Sequence, residues 1–111
     1  MTLESLKAYG ANTAEGLTRC MNNEAFYLRM VGMALADRNF DALKQAMEAG
    51  DARRAFEAAH ALKGCIGNVA LTPLYEPINA LTELLRGSDT VGGGEALVKQ
   101  IMERREKALA L

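Results

Sequence analysis

The sequence is poor in the residues from which β-sheet proteins are built. Aromatic residues make up only 5% of the chain, Trp is absent, and Ala, Leu and Met supply most of the apolar residues. Those three residues favour helices, whereas Val, Ile, Tyr and Phe, which favour strands, are too few for a β-sandwich. The composition therefore predicts an all-α fold.

Excess charge and long apolar runs are also lacking, and each shortage excludes a class of protein. The 13 basic and 14 acidic residues leave a net charge of −1, which offers no field to attract nucleic acid. No apolar run approaches the roughly 18 residues that span a bilayer, so no membrane segment is expected. The first ten residues contain no apolar signal core. A cytoplasmic protein is therefore expected.

Residues that bind metals are few and scattered. Cys20 and Cys65 lie far apart in the sequence and match no metal or disulfide framework, so two reduced thiols are expected. The single His cannot complete a zinc site with them. We therefore expect no metal site and no cofactor bound by this chain.

The 111 residues suit one domain, residues 1–111, rather than two. Apolar residues at helical spacing predict short helices before residue 23 and a bundle core over about 23–110. Each helix has one apolar stripe and the connections are short, which predicts an antiparallel up-down four-helix bundle. Its helices are expected over residues 23–49 (one helix or two collinear pieces), 51–70, 73–86 and 95–109. In the first of them the apolar stripe consists of Phe26, Met30, Met33 and Leu35, widened by Leu28 and Val31. In the helix over residues 73–86 the residues expected to face inward are Leu74, Ile78, Leu81 and Leu85.

The helix over residues 51–70 has one side that is distinctly apolar. On a helical wheel with Leu62 at zero, the inward residues fall within about 60° of it. These inward residues are Ala55, Ala58, Ala59, Ile66 and Val69. His60 lies roughly 160° from Leu62, so its side chain is expected to point into solvent.

Around His60, the sequence places a positive charge and two glycines. Lys63 and Gly64 follow His60 by three and four residues, which puts both beside the imidazole, and Gly67 lies two turns along. A glycine costs about 1 kcal/mol against Ala inside a helix. Two of them on the histidine side therefore indicate a surface cleared for the approach of another molecule.

An exposed imidazole with a lysine and two glycines beside it suits phosphoryl transfer. Imidazole is partly neutral near physiological pH, and its free ring nitrogen can attack phosphorus. Lys63 would offset the charge of the phosphoryl oxygens. The sequence shows no carboxylate cluster for Mg²⁺ and no Gly-rich phosphate loop. We therefore interpret this face as half of an active site that a second protein completes.

The stretch Ala59-His60-Ala61-Leu62-Lys63-Gly64 resembles the motif of histidine-containing phosphotransfer (HPt) domains. Asn68, Leu74 and Leu81 fall where that family often has Asn, Leu and a core residue. The likeness covers about residues 12–110. There is one departure, because many members have Gly where this chain has Ala70.

The resemblance implies an up-down four-helix bundle in which His60 is phosphorylated, Lys63 assists the phosphoryl group and Gly64 leaves room for a partner. That partner would be a receiver domain of a response regulator or of a hybrid sensor histidine kinase, and it would bring the Mg²⁺. Phe56, Arg53 and Gly67 are candidates for contact with this partner. The simpler interpretation of Phe56 is a half-buried apolar residue, and that of Arg53 is a solvated charge.

Two other functions stay open at this point. The domain could bind a receiver without carrying phosphate, as an interaction module. It could also be a true enzyme, such as a phosphohistidine phosphatase or a histidine kinase fragment, but that needs an ATP site or acid/base carboxylates that the sequence does not show. An initial Met and a full set of helices favour a free-standing carrier, expected to be a monomer.

Overall fold

The computed structural model describes residues 1–111, and every regular element in it is a helix, as predicted. Asn and Asp side chains begin several helices, because Asn12, Asn23 and Asp51 each accept a hydrogen bond from a first-turn N–H. No helix combines the length and the apolar character needed to cross a lipid bilayer. The seven helices are α1 (Leu3–Tyr9), α2 (Thr13–Arg19), α3 (Glu24–Leu35), α4 (Asn39–Glu48), α5 (Ala52–Asn68), α6 (Thr72–Leu85) and α7 (Glu95–Leu109).

Helix α5 lies between α4 and α6, and α6 packs in turn against α7. Helices α3 and α4 both contact α5 and α7, so together they form one side of the bundle. A single connected core includes buried side chains from Leu6 to Ala108. The N-terminal helices contribute to this core, since Leu6 is fully buried and Cys20 is 7% exposed.

The predicted inward faces of α5 and α6 are confirmed. In α5 the side chains of the apolar stripe are at most 4% exposed, and in α6 the corresponding residues are at most 1% exposed. These residues are Ala55, Ala58, Ala59, Leu62, Ile66 and Val69, followed by Leu74, Ile78, Leu81 and Leu85. Because the inward face of α5 is fixed in this way, the opposite face, which carries His60, is exposed.

The segment over residues 23–49 forms two helices separated by a turn. The Asp37 carboxylate accepts hydrogen bonds from the backbone N–H of Asn39 (2.8 Å) and from its Nδ2 (2.9 Å). Arg105 of α7 donates from Nε to the Leu35 carbonyl at 2.8 Å, and its guanidinium lies 4.4 Å from the centre of the Phe40 ring. The turn is thus stabilised by a residue from the other end of the chain.

The predicted inward stripe of α3 is confirmed at Val31 and Leu35, which are fully buried, and is wrong at Met33. Met33 is 61% exposed, and the buried residues are Tyr27, Val31, Ala34 and Leu35. Apolar residues occur around nearly the whole circumference of this helix, so periodicity alone singles out no one face.

The N-terminal helices are attached to the bundle by hydrogen bonds. The Tyr9 hydroxyl donates to the Arg104 carbonyl (2.9 Å), and burial raises the pKa of Tyr9 to about 12 against the lowering effect of the Arg104 charge. The Asn12 N–H donates to the Ala70 carbonyl at 2.9 Å. Ala70 itself has φ +59°, in the left-handed region that costs a residue with a Cβ about 1–2 kcal/mol. This explains physically why glycine suits that position.

Helix α6 begins without a side-chain cap, since Leu71 is the capping residue and no side chain bonds there. Pro77 lies inside the helix and lacks the N–H that would normally donate to the Pro73 carbonyl. Arg104 of α7 supplies the missing donor, with its Nη1 2.7 Å from the Pro73 oxygen. Arg104 therefore links α7 to α6 at the carbonyl that Pro77 leaves without a donor.

This arrangement predicts coupling between Arg104 and Pro77. We expect Arg104→Met to lower the free energy of unfolding by about 1.5–2 kcal/mol, because it removes a hydrogen bond from a charged donor. In a Pro77→Ala background the restored Ala N–H can satisfy the Pro73 carbonyl, so the same change should cost less than half as much. Urea unfolding of the two single variants and the double variant measures the coupling. Additive effects would show that Arg104 does not substitute for the missing N–H.

Candidate functional site

His60 lies on the outer face of α5 and is exposed. Its ring stacks on that of Phe56, one turn earlier, with centroids 5.7 Å apart and planes 12° from parallel. This contact holds one face of the imidazole against a flat neighbour. Phe56 is half-buried and is packed against the core. It can therefore fix the orientation of the ring.

The two glycines near His60 differ in what surrounds them. A Cβ built on Gly64 meets no atom within 4 Å, so the backbone there is open to an approaching molecule. A Cβ on Gly67 would lie 3.1 Å from the Tyr75 ring of α6. The surface at Gly67 is thus covered by an aromatic side chain. The absent side chain there makes room for Tyr75 rather than for a partner.

Lys63 does not stand alone beside the imidazole. Its side chain is 28% exposed, and Nζ lies 3.7 Å from the Glu83 carboxylate of α6. The same carboxylate binds Arg86 at 3.2 Å. Hydrogen bonding and charge from Arg86, and to a lesser degree from Lys63, hold the pKa of Glu83 below its usual value. Glu83 in turn raises the pKa of Arg86.

Arg86 connects this ion pair to the histidine side of α5. Its guanidinium carbon lies 5.2 Å from the centre of the Phe56 ring, the ring on which His60 stacks. Arg53, by contrast, is 89% exposed and pairs only with Glu57, one turn away at 3.3 Å. Arg53 therefore takes no part in the ion pairs around Glu83.

A groove of about 650 Å³ borders His60, Lys63 and Gly64. Helix α2 supplies part of its lining through Glu15 and Arg19, which form an ion pair. Arg19 donates to the Gly67 carbonyl (2.6 Å) and to the Asn68 carbonyl (3.2 Å). These carbonyls end α5, where the helix dipole favours a cation, so Arg19 stabilises the C-terminus of the helix that carries His60.

Four residues of this surface escaped prediction from the sequence. They are Arg19, Tyr75, Glu83 and Arg86. The local signals were the spacing of Glu83 with Arg86 and that of Glu15 with Arg19, each of which suits an ion pair on one helix. No pattern in the sequence connects either pair, or α2, to His60.

The thiols and acidic residues form no second reactive cluster. No group of three or more His, Cys, Asp or Glu side chains is arranged to hold a metal ion. Burial raises the pKa of the half-buried Cys65, and the neighbouring Asp37 raises it further. A reactive thiolate is therefore disfavoured at Cys65.

Comparison with known protein families gives a match that includes the residues of this surface. The family model described as Hpt domain matches residues 31–109, a range that includes His60, Lys63 and Gly64. No curated protein and no solved structure matches the chain. The matched range covers well over half of the 111 residues. The chain therefore belongs to the Hpt domain family, whose members are phosphocarriers that take part in phosphorelays through a histidine.

Proposed function

We propose that this protein accepts a phosphoryl group on His60 from the aspartate of one receiver domain and passes it to another. The observation that supports this is the exposed imidazole flanked by open backbone at Gly64. Lys63, one turn along, supplies positive charge within reach of a group bound to the ring. A receiver surface can approach the nucleophile directly because no side chain projects from Gly64.

The proposed step is a displacement at phosphorus. The lone pair of one imidazole nitrogen of His60 attacks the phosphorus of the aspartyl phosphate. A P–N bond forms, the P–O bond to the aspartate breaks, and the carboxylate leaves with the electron pair. The proton on the second ring nitrogen can pass to solvent, and the reverse sequence delivers the phosphoryl group to the next receiver. Such transfer depends mainly on positioning and on neutralising the phosphoryl charge.

The partner completes the chemistry that this chain lacks. We propose receivers of response regulators or of hybrid sensor histidine kinases, and we propose that Mg²⁺ comes with the receiver. The protein is then a carrier rather than an enzyme. Phe56 and Arg53 lie on the same face as His60 and are proposed to border the docked receiver.

The overall architecture suits the role of a phosphocarrier. We propose that residues 1–111 are one monomeric domain, and that α3 with α4, α5, α6 and α7 form the four sides of an up-down bundle. Short N-terminal helices are added to these four. The free thiols of Cys20 and Cys65 suit a reducing compartment, and we propose the cytoplasm.

The test is label transfer from a receiver domain that carries a radiolabelled phosphoryl group. We expect the wild-type chain to acquire label that is acid-labile and base-stable, as a phosphoramidate is, and the His60→Gln variant to acquire none. Far-UV circular dichroism of the variant should match that of the wild type, because His60 is exposed. Equal labelling of the variant would refute the assignment. Receiver binding without any label on the wild type would instead support an interaction module.

A further inference from the structure

The Glu83 carboxylate bridges two cations that come from different helices. Lys63 reaches it from α5 at 3.7 Å, and Arg86 from α6 at 3.2 Å. Both cations are neighbours of the His60 surface, Lys63 by its place one turn along α5 and Arg86 by its position over the Phe56 ring. In the unphosphorylated protein, Glu83 therefore already engages two positive charges that border the His60 surface.

These ion pairs are exchangeable. The side chains of Glu83 and Arg86 are 53% and 51% exposed, and exposed pairs of this kind contribute little to stability. A phosphoryl group on His60 would carry more negative charge than one carboxylate and would offer three acceptor oxygens. Two long cationic side chains can therefore turn from Glu83 to the phosphoryl group at small cost.

We propose that Glu83 is a positioning residue that competes with the phosphoryl group for Lys63 and Arg86. It holds both cations beside His60 before transfer, and it limits how strongly they bind the phosphoryl group afterwards. A carrier must release its cargo, so this competition keeps phosphorylated His60 from becoming too stable to donate. This inference rests on the proposed phosphorylation of His60 and concerns the balance of the transfer.

The measurement is the equilibrium distribution of label between the full-length chain and a receiver domain. With Glu83→Gln the cations lose their competitor, so we expect the ratio of labelled carrier to labelled receiver to rise about three- to tenfold. Combining Glu83→Gln with Lys63→Met and Arg86→Met should abolish the increase, since no cation is then left to release. Urea unfolding should change little in each variant, because the Glu83 and Arg86 side chains are exposed and that of Lys63 is only partly buried.

Glu57→Gln is the matched control. Glu57 lies one turn before His60 and pairs with Arg53, and neither of these residues takes part in the ion pairs of Glu83. A ratio that rises as much with Glu57→Gln as with Glu83→Gln would show a general effect of charge and overturn the proposal. An unchanged ratio with Glu83→Gln, while the wild type is labelled on His60, would overturn it and leave the carrier function standing. A wild type that takes up no label would overturn both.

Discussion

Replacing Gly64 by Leu is expected to slow phosphoryl transfer from a receiver to His60 by about 100-fold, as displacement of a reacting group by an ångström or so can do. The new side chain would project from the surface that a receiver has to approach, because the space beside Gly64 is empty. The same change should raise the free energy of unfolding by about 0.5–1 kcal/mol, since Leu favours a helix interior more than Gly does. Single-turnover transfer and urea unfolding measure the two effects.

Ala96→Leu is the control for added bulk. Ala96 is exposed near the start of α7, a helix that packs chiefly against α6. The transfer rate of this variant should equal that of the wild type. If Gly64→Leu left the rate unchanged, a receiver could not dock closely at Gly64. If it unfolded the domain, the open space at Gly64 would be contradicted.

The second large effect is expected at Gly16, where Gly→Ala should lower the free energy of unfolding by about 2–3 kcal/mol. A Cβ at Gly16 would overlap the ring of Tyr27, which is fully buried and whose hydroxyl donates to the Val69 carbonyl at 2.9 Å. The ring cannot retreat without breaking that bond, so α2 has to move away from α3. Arg19 would then lose its hydrogen bonds to the end of α5.

Gly→Ala at two other helical glycines distinguishes the effect of steric overlap from the effect of helix propensity. Gly32 and Gly64 have no atom within 4 Å of a built Cβ, so Ala there should stabilise the domain by about 1 kcal/mol. Opposite signs are therefore expected for one chemical change. The three variants can be compared by urea unfolding monitored by circular dichroism. A Gly16→Ala variant as stable as the Gly32→Ala variant would mean that α2 packs loosely.

Gly64 and Gly67 show how one residue type can serve two purposes. Both lie on the histidine side of α5, and the sequence offered a single explanation for them. The structure separates them, because Tyr75 fills the space at Gly67 and nothing fills it at Gly64. A glycine in a helix indicates that the space of a side chain is needed for something else. It does not indicate whether that space is used by a neighbouring residue of the fold or by a binding partner.

The sequence by itself determined the helical class, the inward faces of α5 and α6, and the outward position of His60. These features depend on the 3.6-residue period, which relates residues one to three turns apart and needs no knowledge of the neighbours.

The tertiary structure alone decided which helices meet. The pairing of Lys63 with Glu83, the contact of Arg19 with the end of α5, and the turn stabilised by Arg105 all join residues 20 or more positions apart. Packing also decided that Tyr27 is buried in α3 while Met33 is exposed, since apolar residues surround this helix. The spacing of apolar residues in the sequence identifies which face of a helix is buried. Which other helix that face contacts depends on how all the helices pack, and therefore on the whole chain.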